Sequence, residues 1–130
     1  MNRIDTTFAK LKQEQKTAFI GFLTAGDPDM DTCMECVREL EKNGCDIIEI
    51  GIPFSDPIAE GPVIQEASLR ALKNNITTTD VMHMVSKIRE FSQIPLVFLL
   101  YYNQIFKYGA ERFLKESEQA GIDALIIPDL

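Results

Sequence analysis

The sequence predicts an α/β fold with four parallel strands and flanking helices. Three observations carry that prediction. Four short runs, Ala18–Leu23, Asp46–Ile50, Leu96–Tyr101 and Ala124–Ile127, are nearly continuous in apolar character, as strands buried on both faces of a parallel sheet are. The segments between them have apolar residues at helical spacing. Strands and helices alternate along the chain, which implies right-handed crossovers.

The elements follow in order. Ile4–Leu11 reads as a short opening helix ahead of the first strand. In Asp31–Lys42 the residues Cys33, Met34, Val37 and Leu40 share one face, and Gly44 supplies the stop. After the second strand comes a loop rich in proline and glycine. Pro62 suits a first helical position, opening a helix through Ile64, Ala67 and Ala71 to Asn74. Asp80–Phe91 carries the stripe Val81, Val85 and Ile88 with Met84 beside it, and the Thr77–Thr79 run offers N-caps. Ala110–Ala120 carries Phe113, Leu114 and Ser117, and Gly121 ends it.

Composition narrows the function classes. The chain has 130 residues, 45% hydrophobic and 25% charged, with a net charge of −7. That balance lacks the electrostatic footprint of a nucleic-acid binder. No run approaches the ~20 apolar residues of a membrane span. The polar N-terminus has no apolar core of a signal peptide, so a cytoplasmic address is expected. The three cysteines do not suggest a disulfide framework. Cys33 and Cys36 form a CxxC, but it falls within an amphipathic helix and reads as packing rather than a redox or zinc motif.

The chemistry concentrates in IEIGIPFSDPIAEGPVIQ, residues 48–65. Glu49 interrupts an apolar strand near its C-terminal end, where parallel α/β folds bind ligands. A carboxylate there must be paired, solvated or shifted in pKa. The following loop holds Asp56, Pro57 and Glu60. Glu60 reads either as a second acid/base group or as a charge favoured by the helix that Pro62 begins. Two carboxylates from a strand end and its loop can run proton transfers without a metal, and no metal cluster is expected. The residues alone stop at an acid/base enzyme on a parallel α/β scaffold.

This stretch resembles the signature of tryptophan synthase α subunits, in which E-[LI]-G-x-P-F-S-D-P is followed by A-[DE]-G-P-x-I-Q. GFLTAGDP (Gly21–Pro28), LLYYNQIFKYG (Leu99–Gly109) and GIDALIIPDL (Gly121–Leu130) resemble the same family's other motifs, in the same order. The resemblance implies the N-terminal half of a (β/α)8 TIM barrel: residues 1–130 as one partial domain of four strand units, with no second domain. It implies a lyase of tryptophan biosynthesis that splits indole-3-glycerol phosphate into indole and glyceraldehyde 3-phosphate. Glu49 then matches the general acid/base and Glu60 the carboxylate that pairs with the indole N–H. Many members have aspartate at the second position, and glutamate reaches about 1.5 Å further. Phe22, Leu100 and Tyr102 match pocket positions, with Ile64 and Ile126 as further lining. Asp56 and Pro57 match positions facing the partner. The implied partner is a β subunit in an α2β2 heterotetramer. That subunit carries pyridoxal phosphate, and this chain carries no cofactor. The phosphate site and lid of such a barrel come from later strands. A half barrel standing alone would present two open strand edges, a route to self-association. An interaction module with little lyase activity is the alternative reading.

Overall fold

The computed structural model describes residues 1–130. The elements run α1 (Arg3–Glu14), β1 (Ile20–Thr24), α2 (Met30–Lys42), β2 (Ile47–Gly51), α3 (Pro62–Leu72), α4 (Thr78–Arg89), β3 (Leu96–Leu99), α5 (Tyr102–Tyr108), α6 (Ala110–Ala120) and β4 (Ala124–Ile126). The strands form one parallel sheet in the order β1-β2-β3-β4. Each strand therefore lies beside its predecessor, and all four end at the same side of the molecule. No helix is long and apolar enough to cross a membrane.

Residues paired across parallel strands share a face, and neighbours along a strand alternate. One face carries the row Leu23, Ile50, Phe98 and Leu125. It packs under the helices with Val37, Val81, Val85, Ile88 and Phe113, which together form the core. The opposite face carries the rows Phe22–Glu49–Val97–Ala124 and Thr24–Gly51–Leu99–Ile126. Val97 is buried there, but Phe22, Glu49 and Leu99 are only half-buried. The expectation of burial on both faces thus holds best for the two central strands. At the sheet edges Ile20 is 47% exposed and Ile126 40%.

The helix signals act through identifiable contacts. Asp29 caps α2 by accepting from the Thr32 N–H at 2.8 Å. Thr77 and Asp80 form a capping box on α4. Gly121 ends α6 in the left-handed region, at φ 106°, where a side chain is strained. Leu114, expected on the packed stripe of α6, is 55% exposed, while Phe113 and Ser117 are buried. A residue next to the stripe turns about 100° away from it. Cys33 is buried with its thiol toward the Thr24 carbonyl, at 3.8 Å, and burial raises its pKa. It packs as a small apolar residue.

The largest departure from the sequence reading is α5. The third strand stops at Leu99, and Tyr102–Tyr108 is helical. The Gln104 side chain accepts from the Tyr101 N–H at 3.0 Å and closes the first turn.

At the N-terminal end of the strands, the side chain of Asp123 is 3% exposed. It accepts from Arg89 Nη2 at 3.0 Å, from Arg3 Nη1 at 3.0 Å and from the Leu96 N–H at 2.9 Å. Burial pulls the Arg89 pKa down and Arg3 adds to this, while Asp123 opposes both.

Candidate active site at the C-terminal end of the strands

Glu49 is the third residue of β2 and belongs to the face away from the helices, in register with Phe22 and Val97. It is half-buried and forms no ion pair and no side-chain hydrogen bond. A carboxylate in that position is free to meet a ligand.

β2 is followed by the segment 52–61. Ile52 is tied to β3 by its N–H on the Leu99 carbonyl at 3.0 Å. The Phe54 ring lies 5.4 Å from the Tyr101 ring. Ser55 donates to Asp56 at 2.9 Å on the exposed tip. The Ala59 N–H donates to the Tyr101 hydroxyl at 3.0 Å. Gln65 donates to the Glu60 carbonyl at 2.8 Å. Gly61 and Pro62 then start α3.

Glu60 is half-buried, and its Oε2 is sealed from solvent without a hydrogen-bond partner. Burial pushes its carboxyl above the ordinary glutamate pKa. An unpaired buried carboxylate oxygen is costly. It is the one buried side-chain polar atom in the chain left without a partner, and an N–H donor would satisfy it. Glu60 makes no contact typical of a capping residue, since α3 has no side-chain cap.

The apolar residues sort differently. Phe22 and Ile126 lie on the same sheet face as Glu49. Ile64 is half-buried in the first turn of α3. Leu100 is 2% exposed within the helix-side core and does not reach this face. Tyr102 opens α5, is 42% exposed, and sets its ring 6.4 Å from that of Phe106. The residue before each of them lies nearer Glu49 and Glu60. Leu99 is in register with Gly51 and Ile126, and Tyr101 touches the loop of Glu60. The alternation of a strand is the signal that separates Leu99 from Leu100. Asp56 is exposed and Pro57 half-buried. Asp56 instead lines a cavity of about 620 Å³ behind the loop, with Phe54, Thr78, Asn103, Gln104 and Lys107. Neither Glu49 nor Glu60 lines it.

The profile of the family described as tryptophan synthase alpha chain matches residues 8–130. This chain belongs to the tryptophan synthase alpha chain family. A tryptophan synthase alpha chain from Caldanaerobacter subterraneus subsp. tengcongensis is 58% identical over 130 residues, which are 100% of this chain and 50% of that one. Tryptophan synthase subunit alpha from Legionella pneumophila superposes with a TM-score of 0.97 at 44% identity, covering 100% of this chain and 50% of the other. A structure of the tryptophan synthase α2β2 complex from Pyrococcus furiosus matches with a TM-score of 0.83 at 41% identity, over 87% of this chain and 46% of that one. The chain spans about half the length of these relatives. Its sheet is thus the four-stranded part of a tryptophan synthase alpha barrel, and the face bearing Glu49 is the one that lines the barrel.

Proposed function

We propose that this tryptophan synthase alpha chain sequence supplies the acid/base half of a lyase site that cleaves indole-3-glycerol phosphate to indole and glyceraldehyde 3-phosphate. The observation that carries the reading is the sealed, partnerless Oε2 of Glu60, on the loop that follows the strand of an unengaged Glu49. In the proposed reaction Glu60 accepts the indole N–H. Glu49 delivers a proton to indole C3 while Glu60 takes the N1 proton, giving the 3H-indole tautomer. Glu49, now a carboxylate, takes the proton of the glycerol hydroxyl next to C3. The carbon–carbon bond breaks, its electron pair returns to the ring, and N1 regains a proton. The raised pKa of Glu60 favours a role as partner of a proton-bearing nitrogen. Phe22, Leu99 and Ile126 supply an apolar wall for the ring, with Ile64 beyond the loop.

Residues 1–130 are read as the first four strand units of one barrel domain. The phosphate anchor and lid belong to the rest of that barrel, and remote binding energy from the phosphate supports the chemistry. A β subunit is the proposed partner, facing Asp56 and Pro57. Pyridoxal phosphate, which is assigned to that partner, would supply carbanion chemistry there and takes no part in the steps above.

The test is indole release from indole-3-glycerol phosphate by the full-length protein, with and without its β partner. Glu49→Gln is expected to lower kcat by about 10²-fold or more; an unchanged rate removes the assignment. A second reading, self-association of the 1–130 polypeptide, draws on the edge positions Phe19, Ile20 and Ile126, which are 48%, 47% and 40% exposed. A concentration-independent monomer mass in light scattering would dismiss it.

A further inference from the structure

The segment that carries Glu60 does not hold itself. From Pro53 to Glu60 no backbone group takes part in a backbone–backbone hydrogen bond. Three side chains outside that stretch hold it. Gln104 Nε2 donates to the Pro53 carbonyl at 3.1 Å, the Tyr101 hydroxyl accepts from the Ala59 N–H at 3.0 Å, and Gln65 Nε2 donates to the Glu60 carbonyl at 2.8 Å. Two of the three belong to the start of α5, Tyr101 at its N-cap and Gln104 in its first turn, and form one unit, because the Gln104 side-chain carbonyl also accepts from the Tyr101 N–H at 3.0 Å. Tyr101 is 4% exposed, with its ring against Phe54. Its ring and its hydroxyl therefore meet the loop at two points, Phe54 and Ala59.

We propose that Tyr101 and Gln104 are positioning residues that clamp the two ends of the loop after β2 and so hold the Glu60 carboxyl with its Oε2 turned away from solvent. The inference rests on the proposed role of Glu60. Ala59 is the residue next to Glu60, so the Tyr101 bond acts one peptide away from the carboxylate's own backbone. A segment without internal hydrogen bonds opens locally at little cost once external bonds are removed. Glu60 would then reach water, and its carboxyl would leave the geometry that meets an N–H. If Tyr101 served only as an apolar wall, its hydroxyl would be dispensable.

The experiment compares Tyr101→Phe and Gln104→Leu with the parent full-length protein. Two quantities are read: indole-3-glycerol phosphate cleavage across pH, and amide hydrogen exchange over residues 53–60. The pH limb that belongs to Glu60 is identified by its loss in Glu60→Gln. For Tyr101→Phe, kcat is expected to fall roughly tenfold, since a ~1 Å displacement can cost up to about 10²-fold. KM should change less than about twofold. The Glu60 limb should move to lower pH, and the Ala59 amide should exchange faster. Gln104→Leu should speed exchange at the Pro53 end of the segment and lower kcat in the same sense. Unchanged exchange in both variants would show that there is no clamp. Faster exchange with an unmoved limb and unchanged kcat would show a loop anchor without a positioning role, which also overturns the proposal. Full activity of Glu60→Gln would instead remove Glu60 from the reaction. That failure is separate from the clamp's, which the exchange data decide alone.

Discussion

The ring of Phe22 lies over Gly51 on the neighbouring strand, so closely that a Cβ added to Gly51 would fall 2.6 Å from the ring's Cζ. Gly51→Ala must therefore move the ring. The atom met is the far end of a side chain that borders the half-open face, so the ring can swing outward. We expect a stability loss of about 1 kcal/mol, at the low end for overpacking, and a larger effect on substrate KM. Urea unfolding alongside steady-state kinetics checks the split. A loss of several kcal/mol with unchanged KM would contradict it.

Asp123 and Arg89 are nearly buried, 3% and 10% exposed by side chain, and are joined at 3.0 Å. Asp123→Ala leaves a guanidinium in a dry site that already depresses its pKa through burial. The expected destabilisation is about 3–5 kcal/mol, as for other broken buried pairs. The carbonyls of Gly121 and Ile94, which also accept from Arg89, favour the lower end. Chemical denaturation of the full-length protein measures it.

Leu99 and Leu100 are adjacent yet serve opposite faces. Leu100→Ala opens a hole in the helix-side core and should cost about 2–5 kcal/mol. Leu99→Ala removes a half-buried side chain from the barrel-lining face. It should cost less stability and raise KM for the indole substrate. Melting temperatures and kinetics for the two variants should rank in opposite order.

Burial holds the Glu60 carboxyl above its ordinary pKa of 4.5. The folded state therefore binds this proton more tightly than the unfolded chain. The associated stability is present in acid and is lost as pH rises through the folded-state pKa. Glu60→Gln should accordingly raise Tm at pH 7, by about one degree because water reaches the rest of the side chain. The gain should vanish near pH 4. Calorimetry at both pH values decides; an equal gain at each would contradict the linkage.

The sheet and most helices were legible because their signals are local. Apolar runs marked all four strands within two residues of each end, and Thr77, Gly44 and Gly121 punctuated helices as turn chemistry requires. The helix α5 was hidden because seven residues give too little periodicity, and because its start is set by the Gln104 side chain rather than by a serine, threonine or aspartate. Glu49 could be found from its charge in an apolar strand. The neighbouring pocket residues could not be assigned to a face without the register that pairs Leu99 with Gly51. This is why Leu100, which the register places in the helix-side core, was not told apart from Leu99. Glu60's missing partner was invisible, since satisfaction of a buried oxygen depends on the whole surrounding surface.

All four strands point the same way, and that separates two kinds of labour along their length. The cluster of Arg3, Arg89 and Asp123 sits at the floor where the strands begin, and the two glutamates lie above it, Glu49 midway along β2 and Glu60 on the loop that follows. An engineer could reinforce the foundation of this fold without disturbing the chemistry proposed above it, and selection could retune the upper side while leaving the base untouched.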